Sequence, residues 1–139
     1  MTDRTLIGLH PASLPDAWHD LRGHVELACQ GSNGKYEAVD VLRLLISTNM
    51  QIWASIVGDK PEAIAITELV NYPRKRIARI MACVGKDADK LAEHLPAIER
   101  WAKEQNGCAA LEAIVRPGWE KIMKPSGYVK SHVIVEKVL

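Results

Sequence analysis

Leu14, Trp18, Leu21, Val25 and Ala28 recur every three to four positions, the spacing that lines one face of an α-helix. Ser13 stands just ahead of Leu14-Pro15-Asp16, an N-cap candidate followed by proline and an acid in the first turn, so a helix is predicted over 14–29. Gln30-Gly-Ser-Asn-Gly-Lys35 is the most turn-rich stretch of the chain. Beyond it Val39, Leu42, Leu45, Ile46 and Met50 make a second apolar stripe and a second helix.

After Met50 the period shortens. Residues 51–58 are rich in Ile, Val and Trp, Gly58-Asp59-Lys60-Pro61 is a turn, and 62–70 alternates as the return strand of a hairpin. Asn71-Tyr72-Pro73 breaks the chain, Arg74-Lys75-Arg76 is a short basic run, and 77–84 gives a third strand ending at Gly85. Asp87 is a cap candidate for the next helix, whose apolar face is Ala88, Leu91, Ala92, Leu95, Ile98, Trp101 and Ala102, with Asn106-Gly107 as its stop. Pro96 lacks an amide hydrogen, so it kinks or splits this helix unless it begins a new turn. A strand over 108–116, a short helix over 119–123 opened by Pro117-Gly118, and a closing strand over 128–138 complete the order α-α-β-β-β-α-β-α-β. That order defines an α/β (α+β) class with a mixed, mainly antiparallel sheet flanked by helices.

At 139 residues and 47% hydrophobic content, the chain has enough apolar surface for one core, and 1–139 reads as a single domain without linker or repeat. Eighteen Lys and Arg against 17 Asp and Glu give a net charge of +1, which provides no broad basic face for a phosphate backbone; no nucleic acid partner is expected. No apolar stretch approaches the roughly 20 residues of a membrane span. The first residues, Met1-Thr-Asp-Arg-Thr-Leu-Ile-Gly8, do not read as a secretory signal. Cys29, Cys83 and Cys108 are widely spaced in apolar surroundings and are expected as buried free thiols, which suits a reducing cytoplasm. The five histidines are scattered, and no ligand set at metal spacing exists, so no metal is predicted. No nucleophile elbow, Walker loop or dinucleotide fingerprint occurs, which leaves hydrolase, NTPase and dinucleotide readings without an anchor.

The element order, with the string Arg116-Pro-Gly-Trp-Glu-Lys-Ile-Met-Lys-Pro-Ser-Gly-Tyr128 ahead of Val135-Glu-Lys-Val-Leu139, resembles the GNAT superfamily of acyl-CoA N-acyltransferases over about residues 50–139. Short GNAT-like proteins of phages and prophages are similar in size and ending. The resemblance implies acetyl-CoA as cofactor, its pyrophosphate on the loop after the third of the predicted strands. Here that loop offers Val84, Gly85, Lys86 and Lys90, but Asp87 and Asp89 put carboxylates where the pyrophosphate would lie, unless they serve only to stabilise the helix start. Where the family places a tyrosine as general acid, this chain reads Trp119-Glu120-Lys121, and indole cannot supply a proton at neutral pH. Tyr128 is the substitute acid, and Glu68, with Glu112 as the other carboxylate on a suitable strand, is the candidate base. The expectation is a GNAT-fold protein whose acetyl-CoA site is degenerate and which acts as a binding or structural component, through a protein partner or self-association, in a virion or host cytoplasm. The alternative is an active N-acetyltransferase on an unknown amine; a surface-acting toxin or antitoxin-type regulator is a third class.

Overall fold

The computed structural model describes residues 4–139. Five strands form one sheet in the order β1-β2-β3-β4-β5: β1 (Arg4–Gly8), β2 (Met50–Val57), β3 (Lys60–Asn71), β4 (Arg76–Gly85) and β5 (Ala110–Ala113). The first four are antiparallel neighbours; β4 and β5 run parallel, joined by a helical crossover, which makes the sheet mixed and mainly antiparallel as expected. The helices α1 (Leu14–Gln30) and α2 (Ala38–Ile46) pack on one face, where Leu21, Val25, Val41 and Leu45 meet Ile52, Ala54, Ile64 and Ile66. The other face carries Ala63, Ala65, Ala78 and Ile80 beneath the crossover and α4 (Pro117–Met123). With helices on both faces, β3 is buried continuously from Ala63 to Thr67 instead of alternating.

The crossover is not one helix. A 3₁₀ stretch (Ala88–His94) leads into α3 (Leu95–Arg100), which has Pro96 in its first turn, and then into a π-helical turn (Trp101–Gln105). Pro96 thus begins a new helix, where its missing amide hydrogen costs nothing.

Two cap assignments are corrected. Ser13 has helical backbone angles and makes no capping bond; the preceding turn is closed instead by His10 Nδ1, which accepts from Ala12 N at 3.1 Å. Asp87 adopts a left-handed conformation (φ 52°) and caps nothing with its side chain, because its carboxylate faces the Arg4 guanidinium at 3.8 Å. Both caps were inferred from residue type, whereas the competing partners come from distant or preceding segments.

The strand pattern changes at both ends of the chain. β1, absent from the predicted order, pairs Arg4 with Val57 through Gly8 with Trp53. The closing strand expected over 128–138 is no strand at all: among the described residues the segment has no ladder partner, and beyond Tyr128 it lies exposed. Alternation of β-branched residues specifies an extended backbone, but a strand exists only where another strand accepts its hydrogen bonds.

Candidate functional site

The site region is built by β4, which leaves its two neighbours at one point. On the β5 side the register ends at Ile80 opposite Ala113, with one further bond from Ile114 N to Ile80 O (3.0 Å). On the β3 side Thr67 opposes Ile80 and Ile66 opposes Ala82, so Met81 is skipped as a β-bulge. Met81 therefore lies outside both registers where the sheet begins to split. Its side chain packs against the cluster beneath α1 and α2. The bulge has no signature in the sequence, because it depends on the register between two strands.

The opening is packed with side chains. Leu95, Met123 and Ile80 are buried there, with Trp119, Tyr128 and Leu111 partly buried around them. Tyr128 Oη donates to Glu99 Oε2 at 2.8 Å. Burial, and then that carboxylate, push the Tyr128 phenol well above its ordinary range. Trp119, at the position the resemblance assigns to an acid, contributes bulk to the same cluster.

Glu68 sits elsewhere. It opposes Met50 as Ile66 opposes Ile52, which places it on the α1 face, whereas Tyr128 packs against the other face. The two candidate catalytic residues are thus not brought together. Glu68 is held by Arg79 Nη1 at 3.2 Å, while Arg79 Nε donates to Glu112 at 2.6 Å and Nη2 to Tyr72 Oη at 3.1 Å. Burial works against the Arg79 charge, but the Glu112 hydrogen bond and charge, then Tyr72 and Glu68, outweigh it and keep the guanidinium more firmly protonated. Arg79 went unrecognised in the sequence. Its signal was register: Arg79 stands opposite both Glu68 and Glu112.

The loop after β4 is committed to the protein's own backbone. Gly85 has φ +121°, and a Cβ there would lie 2.4 Å from Glu62 O. This glycine therefore serves close approach to β3, not to a phosphate. Lys86 N donates to Glu62 O at 2.8 Å and Lys90 N to Asp87 O at 2.9 Å. Val84 packs against the α1 cluster, and the side chains of Lys86 and Lys90 are exposed. The residues present do not make room for acetyl-CoA, since the opening is filled with side chains and the amides of Lys86 and Lys90 are engaged by backbone oxygens. A dimple of about 80 Å³, lined by residues such as Leu9, Leu14, Leu45 and Met50, shares no residue with the split. Among the described residues no group of three or more His, Cys, Asp or Glu is placed to hold a metal, and no helix is long and apolar enough to cross a membrane.

A mixed sheet with a single parallel pair that parts at a β4 bulge, and a helical crossover over one face, defines the fold of the GNAT acetyltransferases, and the chain has that fold. Aminoglycoside N-acetyltransferase AAC(6')-Iy, solved with CoA, is similar over 100% of this chain and 96% of its own, with a TM-score of 0.73 and 12% identity. An acetyltransferase of Trypanosoma brucei matches over 99% and 100% (TM-score 0.69, 13% identity), and the ribosomal-protein-alanine N-acetyltransferase of Brucella melitensis over 100% and 98% (0.65, 13%). At these identities the likeness is one of fold. No family model and no curated protein matches the sequence.

Proposed function

We propose that this chain is a GNAT-fold protein with a degenerate acetyl-CoA site, acting as a binding or structural component. The observation that carries this reading is the packing of Leu95, Met123, Trp119 and Tyr128 into the split between β4 and β5, locked by the Tyr128 to Glu99 hydrogen bond. A cofactor arm entering there has to displace a packed apolar cluster. Displacing buried Leu and Met side chains costs about 2 kcal/mol each, which weakens binding by a factor of ten or more. The loop adds to the cost, since Lys86 N is already bonded and Asp87 and Asp89 present like charge to a pyrophosphate.

One observation favours an active N-acetyltransferase as the second reading. Met81 lies outside both strand registers, where a bulge can direct a backbone amide at a thioester carbonyl. Calorimetric titration with acetyl-CoA separates the two readings. No saturable heat at high micromolar cofactor is the expected result. Micromolar binding, with acetyl transfer that disappears in Tyr128→Phe, overturns the degenerate-site reading.

A further inference from the structure

Two Asn-Gly pairs occur in the chain, Asn33-Gly34 and Asn106-Gly107, and the fold treats them in opposite ways. Such a pair carries its own chemistry. A glycine after asparagine puts no side chain in the way of its backbone nitrogen, which lies one ring closure from the side-chain amide carbon. Closure depends on the freedom of two groups, the asparagine side-chain amide and the glycine backbone N–H.

At Asn106-Gly107 both are engaged. Asn106, half-buried at the end of the crossover, donates from Nδ2 to Trp101 O at 3.1 Å, and Gly107 N donates to Lys103 O at 3.2 Å. Asn33-Gly34 lies exposed in the loop after α1. Both residues have positive φ, 55° and 79°, and nothing stands within 4 Å of the place a Gly34 Cβ would take. Among the described residues no acceptor is bonded to Gly34 N, whereas Lys35 N donates to Ser32 O at 3.3 Å. The Asn33 side chain serves a distant segment: Nδ2 donates to Glu136 Oε2 at 3.2 Å, and the Lys35 ammonium holds the same carboxylate. Glu136 is the only acidic side chain of 129–139, so no other side chain of the segment can replace it.

We propose that Asn33 is a site of deamidation, and that its conversion detaches the segment beyond Tyr128 from the loop after α1. Gly34 N, having given its proton to hydroxide, attacks Asn33 Cγ. The new N–Cγ bond closes a succinimide ring as the Cγ–Nδ2 bond breaks and ammonia departs. Water then opens the ring at either carbonyl, which leaves aspartate, or isoaspartate with the main chain running through the former side chain. In sum water is taken up and ammonia is lost, with no oxidant or cofactor. Either product replaces the N–H donor at Glu136 with a carboxylate, so a hydrogen bond becomes a repulsion between like charges. The change is irreversible, and the detached fraction records the age of the molecule. The proposal is independent of whether acetyl-CoA binds.

Timed incubation in mildly alkaline buffer, followed by trypsin and mass spectrometry, tests it. The peptide between Arg22 and Lys35 is expected to exchange NH for O with time and to become a substrate of isoaspartate methyltransferase. The peptide that begins after Lys103 is expected to change about tenfold more slowly or less, because two hydrogen bonds have to open first. In the urea-unfolded chain both sites are expected to react at similar rates. Asn33→Gln, whose longer side chain closes no such ring, is expected to stay unmodified. The consequence is read by amide relaxation at neutral pH, where residues 129–139 are expected to be more mobile in Asn33→Asp than in the unmodified chain. Asn33 intact in the native chain while the unfolded chain reacts, equal native rates at Asn33 and Asn106, or unchanged mobility in Asn33→Asp overturns the proposal.

Discussion

Tyr128 and Glu99 are joined by a 2.8 Å hydrogen bond that ties the chain beyond α4 to α3 in the crossover from β4 to β5. The phenol holds its proton far more tightly than a free tyrosine, so it is a structural donor and a poor acid at neutral pH. Tyr128→Phe keeps the ring in its cluster and removes one charge-assisted bond. It is expected to lower unfolding free energy by about 1 kcal/mol, read from urea midpoints. A loss of several kcal/mol, or none, contradicts this account of the contact.

Gly85→Ala tests the loop. The substitution meets Glu62 O at 2.4 Å and a φ of +121° that side chains rarely adopt. A destabilisation of roughly 2 kcal/mol or more is expected, measured by thermal or urea unfolding. A neutral result shows that the loop moves freely and that its amides are available to a ligand.

The thiols offer a probe of the split without any variant. Cys108 is buried, Cys29 and Cys83 partly so, and all three are free. Burial pushes the Cys83 thiol up to about 12, and burial also raises Cys29 and Cys108, with Asp40 adding to the effect at Cys29 and Arg76 opposing it at Cys108. Since the thiolate is the reactive form, labelling at neutral pH is expected to be slow for all three until denaturant is added. Fast native labelling of Cys83 means that the cluster opens.

Acid is expected to free segment 128–139. The hydrogen bond from Lys35, then that from Asn33 and the Lys35 charge, hold the Glu136 carboxyl below the usual carboxylate range. A depressed folded-state value means that the contact contributes above the unfolded carboxylate pKa and is lost as pH falls through the folded one. Amide relaxation of residues 129–139 is therefore expected to show rising mobility only below the usual carboxylate range. Lys35→Ala is expected to shift that onset to higher pH. Mobility that is independent of pH argues against the anchor.

Much of the fold was legible because its elements are set locally. The stripe from Leu14 to Ala28, the turn at Gly58 and the break at Pro73 all act within a few residues, and the structure keeps them. What was illegible depends on pairing at a distance. β1 is defined by Val57 and Trp53 across two helices, the Met81 bulge by a register slip against β3, and the state of 128–138 by the absence of a pairing strand among the described residues. The candidate site suffered most from this. Glu68 and Tyr128 each occupy a plausible element, yet they lie on opposite faces of the sheet, and only the sheet parity against Ile66 and Ile80 reveals it.

The sheet's connectivity also sets an order in time. β2, β3 and β4 follow one another through short turns, so their ladders close small loops, whereas β1 must find Val57 past α1 and α2 and β5 must find β4 past the whole crossover. Loop closure delays the distant pairs. The central meander is then the natural place for folding to begin, and the two outer strands are the last to dock and the first to detach. A protein built this way breathes from its rims while its middle stays shut.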